Sequence, residues 1–204
     1  MFTGIVQAVG NVRGLEARGG DMRLQIDAGG LDLRSMHIGD SIAVNGCCLT
    51  AIGKSPAGFA ADVSRETLAL TTLGGLGAGS PVNLETALTL AAPLGGHLVI
   101  GHVDGVGVVD SRVEDARSVR FAIEAPPELA RYIARKGCIC VDGVSLTVNA
   151  VHSGGFEVNA IPHTLEHTVI RGYRTGTRVN LEVDLVARYL ERLIAAHAAG
   201  AGTD

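Results

Sequence analysis

The feature that most constrains this chain is that it repeats itself. At an offset of 97 residues, Gly4-Ile5-Val6-Gln7-Ala8-Val9-Gly10 matches Gly101-His102-Val103-Asp104-Gly105-Val106-Gly107. Asn45-Gly46-Cys47-Cys48-Leu49-Thr50 matches Asp142-Gly143-Val144-Ser145-Leu146-Thr147, Thr67-Leu68 matches Thr164-Leu165, and Val82-Asn83-Leu84-Glu85 matches Val179-Asn180-Leu181-Glu182. Four blocks with one offset imply a copied domain. The unit is too long for a solenoid, whose repeats run roughly 20–50 residues. The expected organisation is two tandem homologous domains, residues 1–96 and 97–184, then a third segment, 185–204.

Each copy reads as β-rich. Short apolar or alternating runs predict strands at Ser41–Val44, Phe59–Val63 and Pro81–Glu85 in the first copy. The second copy has Cys138–Val141, Ser145–Val151, Phe156–Ile161 and Arg178–Val183. Turn-forming stretches such as Gly53–Gly58 and His152–Gly155 separate them, the punctuation of a small barrel or sandwich. The 28 glycines suit many tight turns, and aromatics at 3% leave packing to Val, Ile, Leu and Ala. Prolines followed by helically spaced apolar residues predict a helix over Pro126–Gly137. Asp184 is placed to cap another over Leu185–Ala199, with Val186, Tyr189, Leu190, Leu193, Ile194 and His197 along one face. That stripe must be buried, either on its own barrel or against another subunit.

Net charge is −4, from 17 basic and 21 acidic residues, with no basic stripe. Nucleic-acid binding is therefore not expected. No apolar run reaches the ~20 residues of a membrane span, and the N-terminus lacks a secretory pattern, so a cytoplasmic protein is expected. Neither Cys47-Cys48 nor Cys138-x-Cys140 has zinc-site spacing, and no metal is expected. Cys47, Cys138 and Cys140 read as small buried hydrophobes.

Several motifs carry a resemblance. They are Met1-Phe2-Thr3-Gly4-Ile5-Val6, Asn45–Thr50, Gly95-Gly96-His97 through Gly105, Asp142–Thr147 and Ile161-Pro162-His163-Thr164-Leu165-Glu166. In this order, from Met1 to about Arg192, the chain resembles the riboflavin synthase family. The resemblance implies an all-β fold with short helices: two six-stranded Greek-key barrels plus a C-terminal trimerisation helix. It implies a transferase that dismutates two molecules of 6,7-dimethyl-8-ribityllumazine. A four-carbon unit passes between them, giving riboflavin and 5-amino-6-ribitylaminouracil without a cofactor. Each barrel holds one lumazine, and the active site lies where the first barrel of one subunit meets the second barrel of its neighbour in a homotrimer.

By the same resemblance, Gly4, Ile5, Val6, Cys48, Leu49, Thr50, Asp62, Val63, Ser64, Arg65, Glu66 and Thr67 line the first pocket. Gly101, His102, Val103, Ser145, Leu146, Thr147, Asn159, Ala160, Ile161, Pro162, His163 and Thr164 line the second. Lys136, Phe2 and His97 also match family positions. Gly4 and Gly101 are expected to let a flat ring approach the backbone.

Two identical substrates with unequal tasks need two similar pockets that differ chemically. Shared positions are thus expected to bind and differing ones to react. The differences are Ile5/His102, Cys48/Ser145, Glu66/His163 and Asn45/Asp142. The catalytic candidates are Cys48, His102, Ser145, Thr147 and Asp142. His102 suits removal of a proton from the acidic 7-methyl group. The nucleophile at C7 of the donor is Cys48, Ser145 or a held water. Asp142 lies three residues before Ser145, on the opposite face of a strand, and is expected in a turn. The rival function is a non-catalytic lumazine- or flavin-binding antenna of the same fold.

Overall fold

The structure, a computed structural model, describes residues 1–200. The first barrel comprises β1 (Ala8–Arg18), β2 (Asp21–Asp27), β3 (Ser41–Val44), β4 (Cys47–Ser55), β5 (Gly58–Val63) and β6 (Pro81–Thr86). The second comprises β7 (Gly105–Asp115), β8 (Ser118–Glu124), β9 (Cys138–Val141), β10 (Val144–His152), β11 (Gly155–Ala160) and β12 (Arg178–Val183). Both sheets close with the same antiparallel neighbour order, β1-β2-β5-β4-β3-β6 and β7-β8-β11-β10-β9-β12. Among the described residues there are three α-helices, α1 (Arg65–Leu70), α2 (Pro162–His167) and α3 (Leu185–Gly200), and three short 3-10 turns. The predicted tail beyond residue 200 lies outside the described residues.

Closure follows from alternation along the strands. In β2, Leu24 and Ile26 point inward, and in β5 Phe59, Ala61 and Val63 meet them. The second barrel fills likewise, around Phe121, Ile123, Phe156 and Val158. Strands β4 and β10 share one burial pattern, position for position. The bulges also repeat: Val12/Gly14 with Val109/Ser111, and Ala51/Gly53 with Val148/Ala150. An extra residue at these points raises local twist and curls the sheet. The bulges in β1 and β7 break the simple alternation, which is why these two long strands are hard to see in the sequence.

Strands β6 and β12 are buried on both faces. Val82 and Leu84 face the interior of the first barrel, while Asn83 and Glu85 face outward and are still buried. Their outer cover is the other barrel. The Asn83 amide donates to the Asp142 carbonyl at 2.8 Å and accepts from the Val169 N–H at 2.9 Å. Asn180 mirrors it, donating to the Asn45 carbonyl and accepting from the Thr72 N–H. The hairpin turns Asn45-Gly46 and Asp142-Gly143 meet at this seam with positive φ at all four residues, the geometry of a two-residue hairpin turn. A Cβ on Gly46 would lie 2.6 Å from the Gly143 nitrogen, so the approach requires glycine.

The turns expected over Gly53–Gly58 and His152–Gly155 are shorter than the sequence suggests, because the flanking strands run on to Ser55 and His152 and resume at Gly58 and Gly155. A helix differs as well. Over Pro126–Gly137 the chain forms only a 3-10 turn, Pro127–Tyr132. It is cut short because Lys136 enters the left-handed region and donates its N–H to the Val148 carbonyl, tying the segment to β10. Helix α3 forms as expected, with Asp184 accepting from the Val186 N–H. Its polar side faces the second barrel: Arg188 pairs with Asp104, and Glu191 with Arg131 and Tyr132. Its apolar stripe is left open, with Leu193 67% and Ile194 66% exposed. No described helix is long and apolar enough to cross a membrane.

Candidate functional site

The site is organised by two segments that cross from one half to the other. Glu85 on β6 accepts the N–H of Thr3 at 2.6 Å and of Gly4 at 3.0 Å. This grip directs the N-terminal segment away from its own barrel. The Gly4 carbonyl accepts from the Ser145 N–H at 2.7 Å, and Val6 packs on the second core. Glu182 on β12 repeats the device, accepting from Ile100 at 2.7 Å and Gly101 at 2.9 Å. The Gly101 carbonyl accepts from the Cys48 N–H at 2.8 Å, and Val103 packs on the first core.

The expected grouping of residues is therefore corrected. Gly101, His102 and Val103 lie with Cys48, Leu49 and Thr50, beside the strand and helix that carry Asp62–Thr67. Gly4, Ile5 and Val6 lie with Ser145, Leu146 and Thr147, beside Asn159–Thr164. The sequence hides this exchange because each block keeps its order along the chain. Alternation in Val-Asn-Leu-Glu sets Asn83 and Glu85 on one outward face, but it does not say which segment they will hold.

The role expected of Gly4 and Gly101 changes too. Both have positive φ, and a Cβ on either would lie 2.6 Å from the Cβ of Ser145 or Cys48 respectively. Glycine is needed where the crossing segment meets the opposite strand. A flat ligand is not required to explain it.

In the first candidate site Cys48 is half-buried, Leu49 points into the barrel, and Thr50 is exposed on the outer side of β4. On β5, Asp62 is outward and Val63 inward. The Asp62 carboxylate takes a two-pronged bond from Arg23, which lowers its pKa. Ser64 caps α1 by accepting from the Thr67 N–H, while Arg65 and Glu66 are exposed. His102 is exposed beside Gly101.

The second candidate site has the same frame and different groups. Ser145 is half-buried, Thr147 exposed and Leu146 inward. Asn159 stands where the first copy has Asp62, and its buried Oδ1 has no partner among the described residues. Ala160 faces the core, and Ile161 precedes α2 without a side-chain cap, with Pro162 in the first turn. His163 is exposed and stacks on His167, ring centres 4.1 Å apart, and Thr164 is half-buried. Lys136 is exposed with φ 68°, whereas the equivalent Gly39 has φ 97°. Placing a lysine where its counterpart is glycine costs backbone strain. Ile5 is exposed opposite this frame, at the position equivalent to His102.

His97 is buried, and its Nδ1 lies 2.7 Å from Ser145 Oγ. Burial lowers its pKa, and the nearby Asp184 charge opposes that shift. Phe2 is wholly buried at the seam, paired with Val99 and packed with Ala43 and Cys140, with Cys48 against the same cluster.

Asp142 lies in the expected turn. Its carboxylate accepts from the Asn180 N–H and the Tyr173 hydroxyl, and burial raises its pKa to about 7. Among the cysteines, Cys47 and Cys140 are buried as expected, and burial pushes the Cys47 thiol up to about 12. Cys138 is only half-buried, because it lies at the outward start of β9.

The two halves thus present equivalent surfaces, each built by one barrel and a strap from the opposite half. The lumazine binding domain family matches residues 3–87 and 100–184, one copy per barrel. Riboflavin synthase of Mycobacterium bovis is 49% identical over 198 residues, spanning 95% of this chain and 98% of that protein.

The chain belongs to the riboflavin synthase family.

Riboflavin synthase of Photobacterium phosphoreum is 43% identical over 194 residues, spanning 95% of this chain and 89% of that protein. The solved structure of LumP complexed with riboflavin superposes with a TM-score of 0.83 at 27% identity, covering 90% of this chain and 99% of that one. LumP complexed with 6,7-dimethyl-8-(1'-D-ribityl) lumazine superposes with a TM-score of 0.81 at 26% identity and the same coverage. Family membership makes this protein an enzyme, a transferase.

Proposed function

We propose that the protein converts two molecules of 6,7-dimethyl-8-ribityllumazine into riboflavin and 5-amino-6-ribitylaminouracil. The observation that carries this reading is the pair of matching strand-and-strap arrangements with unlike reactive groups. Cys48 and His102 occupy one, Ser145 the other, on frames otherwise superposable by the repeat. A dismutation asks for that combination: equal recognition of two identical molecules and unequal treatment afterwards.

Each cleft offers hydroxyls from paired threonines, Thr50 with Thr67 and Thr147 with Thr164, for the polar edge of a lumazine. The exposed His102 imidazole is the proton acceptor for the 7-methyl group. Holding the two rings against each other supplies much of the rate, by converting a bimolecular step into a local one.

The two rings meet, in this reading, between subunits of a homotrimer, the first cleft of one facing the second cleft of the next. The open stripe of Val186, Tyr189, Leu190, Leu193 and Ile194 supports such an assembly. A helix that turns its charged side to its own barrel keeps its apolar side for another copy.

The test is direct. Purified protein mixed with 6,7-dimethyl-8-ribityllumazine should generate riboflavin absorbance, with two lumazines consumed per riboflavin. Tight binding with no riboflavin would instead establish the antenna function. Against that rival, Cys48, His102 and Ser145 are all retained at the two clefts.

A further inference from the structure

One group in the second cleft has no counterpart in the first. His97 is 8% exposed, and its Nδ1 sits 2.7 Å from Ser145 Oγ. Among the described residues its buried Nε2 has no partner. A buried ring with a free nitrogen is costly as mere packing.

The local chain is shaped to bring it there. The His97 N–H donates to the Thr3 carbonyl at 3.1 Å. A Cβ on Gly96 would lie 2.1 Å from that carbonyl oxygen and 2.9 Å from Ser145 Cβ, so only glycine lets the strap press on Ser145. Ser145 is itself fixed by its N–H bond to Gly4. Ser145 is therefore held on two sides while remaining only half-buried.

We propose that His97 is a positioning residue that takes the Ser145 hydroxyl hydrogen on Nδ1, and that this pair makes the second cleft the one in which a lumazine is attacked at C7. The inference rests on the dismutation reading above. A water molecule adding at C7 gives one hydrogen to Ser145 Oγ while Ser145 passes its own to His97 Nδ1. The new oxygen–carbon bond forms from the water's lone pair, and the electron pair displaced from C7 moves into the conjugated ring. The imidazolium that results carries its other hydrogen on Nε2; burial disfavours it, which keeps it short-lived, and the nearby Asp184 charge offsets part of that cost. The steps reverse when the oxygen leaves. The first cleft, with Cys48 and His102, then holds the acceptor, whose 7-methyl proton is removed.

The experiment compares His97→Ala, His97→Asn, Ser145→Ala and the double variant His97→Ala/Ser145→Ala in the full chain. His97→Ala and Ser145→Ala should each lower kcat roughly 100-fold, within the usual range for loss of an acid–base group. KM for the lumazine should move less than about threefold, the signature of an interaction used in the transition state. The double variant should be no slower than the slower single one, because the two residues act as a unit. Asparagine keeps an acceptor near the Nδ1 position without basicity, so His97→Asn should bind riboflavin normally and remain slow.

Restored turnover in His97→Asn, or losses that multiply in the double variant, would overturn the inference. If His97→Ala fails to fold, His97→Asn and Ser145→Ala with their double variant give the same comparison. Failure of the unsubstituted protein to make riboflavin would instead sink the underlying reading, and the inference with it.

Discussion

The side-chain amide of Asn180 reaches across the seam between the barrels and donates to the carbonyl of Asn45 at 2.8 Å. Its oxygen meanwhile accepts from the Thr72 N–H at 2.7 Å. One residue of the second half thus closes two backbone groups of the first. Asn180→Ala should strand both in a buried site and cost about 2–4 kcal/mol, since each orphaned group costs ~1–3 kcal/mol. Chemical denaturation will measure it.

Gly101→Ala tests the crossing strap. The new methyl group would lie 2.6 Å from Cys48 Cβ, at a backbone φ of 85°. Overpacking and left-handed strain together predict a loss of about 2–4 kcal/mol. Because the strap also carries His102, affinity for lumazine should fall as well. Thermal unfolding and equilibrium fluorescence binding read the two effects separately.

Glu182 gives a pH dependence. Burial raises its pKa from 4.5 to about 7, against the two N–H bonds that favour its charged form. A carboxyl raised on folding supports the native state below its unfolded pKa. That contribution declines as pH rises from about 4.5, where the unfolded carboxyl ionises, to about 7, where the folded one follows. The decline should amount to roughly 3 kcal/mol. In Glu182→Gln, denaturation at pH 5 and pH 8 should lack that share of the difference.

Cys48→Ser keeps the size of the side chain near constant and exchanges a thiol for a hydroxyl. Turnover should fall roughly 10–100-fold, as for other reactive groups, while the dissociation constant for lumazine stays within about threefold. Unchanged turnover would end any special role for Cys48.

Charging the open stripe of α3, as in Leu190→Glu/Leu193→Glu, should leave each barrel folded and abolish assembly. Burying either leucine contributes ~1.5–3 kcal/mol per subunit. Light scattering should report monomers, and riboflavin formation should drop more than about tenfold if the site spans two subunits. A monomer with full activity would place the whole site in one chain.

Much of this protein is decided by sequence alone. The offset between Gly4 and Gly101, or Asn45 and Asp142, fixes two like domains, because equal residues at equal spacing build equal strands and turns. Alternation in the two Val-Asn-Leu-Glu runs fixes which side chains enter each core. Asn45-Gly46 and Asp142-Gly143 fix hairpin turns through their tolerance of positive φ. The Leu185 helix and its stripe follow from a 3.6-residue period. Local rules suffice for all of these, because each depends on neighbours within a few positions.

What tertiary structure alone decided is which half serves which cleft. Gly4 lies on Ser145, and Gly101 on Cys48, because Glu85 and Glu182 hold the straps by their N–H groups and turn them toward the opposite barrel. His97 meets Ser145 for the same reason, 48 residues away along the chain. The 3-10 turn before Lys136 belongs here too, since its length is set by the bond to Val148. These contacts join groups that are distant in sequence and were fixed only when two closed barrels had to bury their outward polar residues against each other.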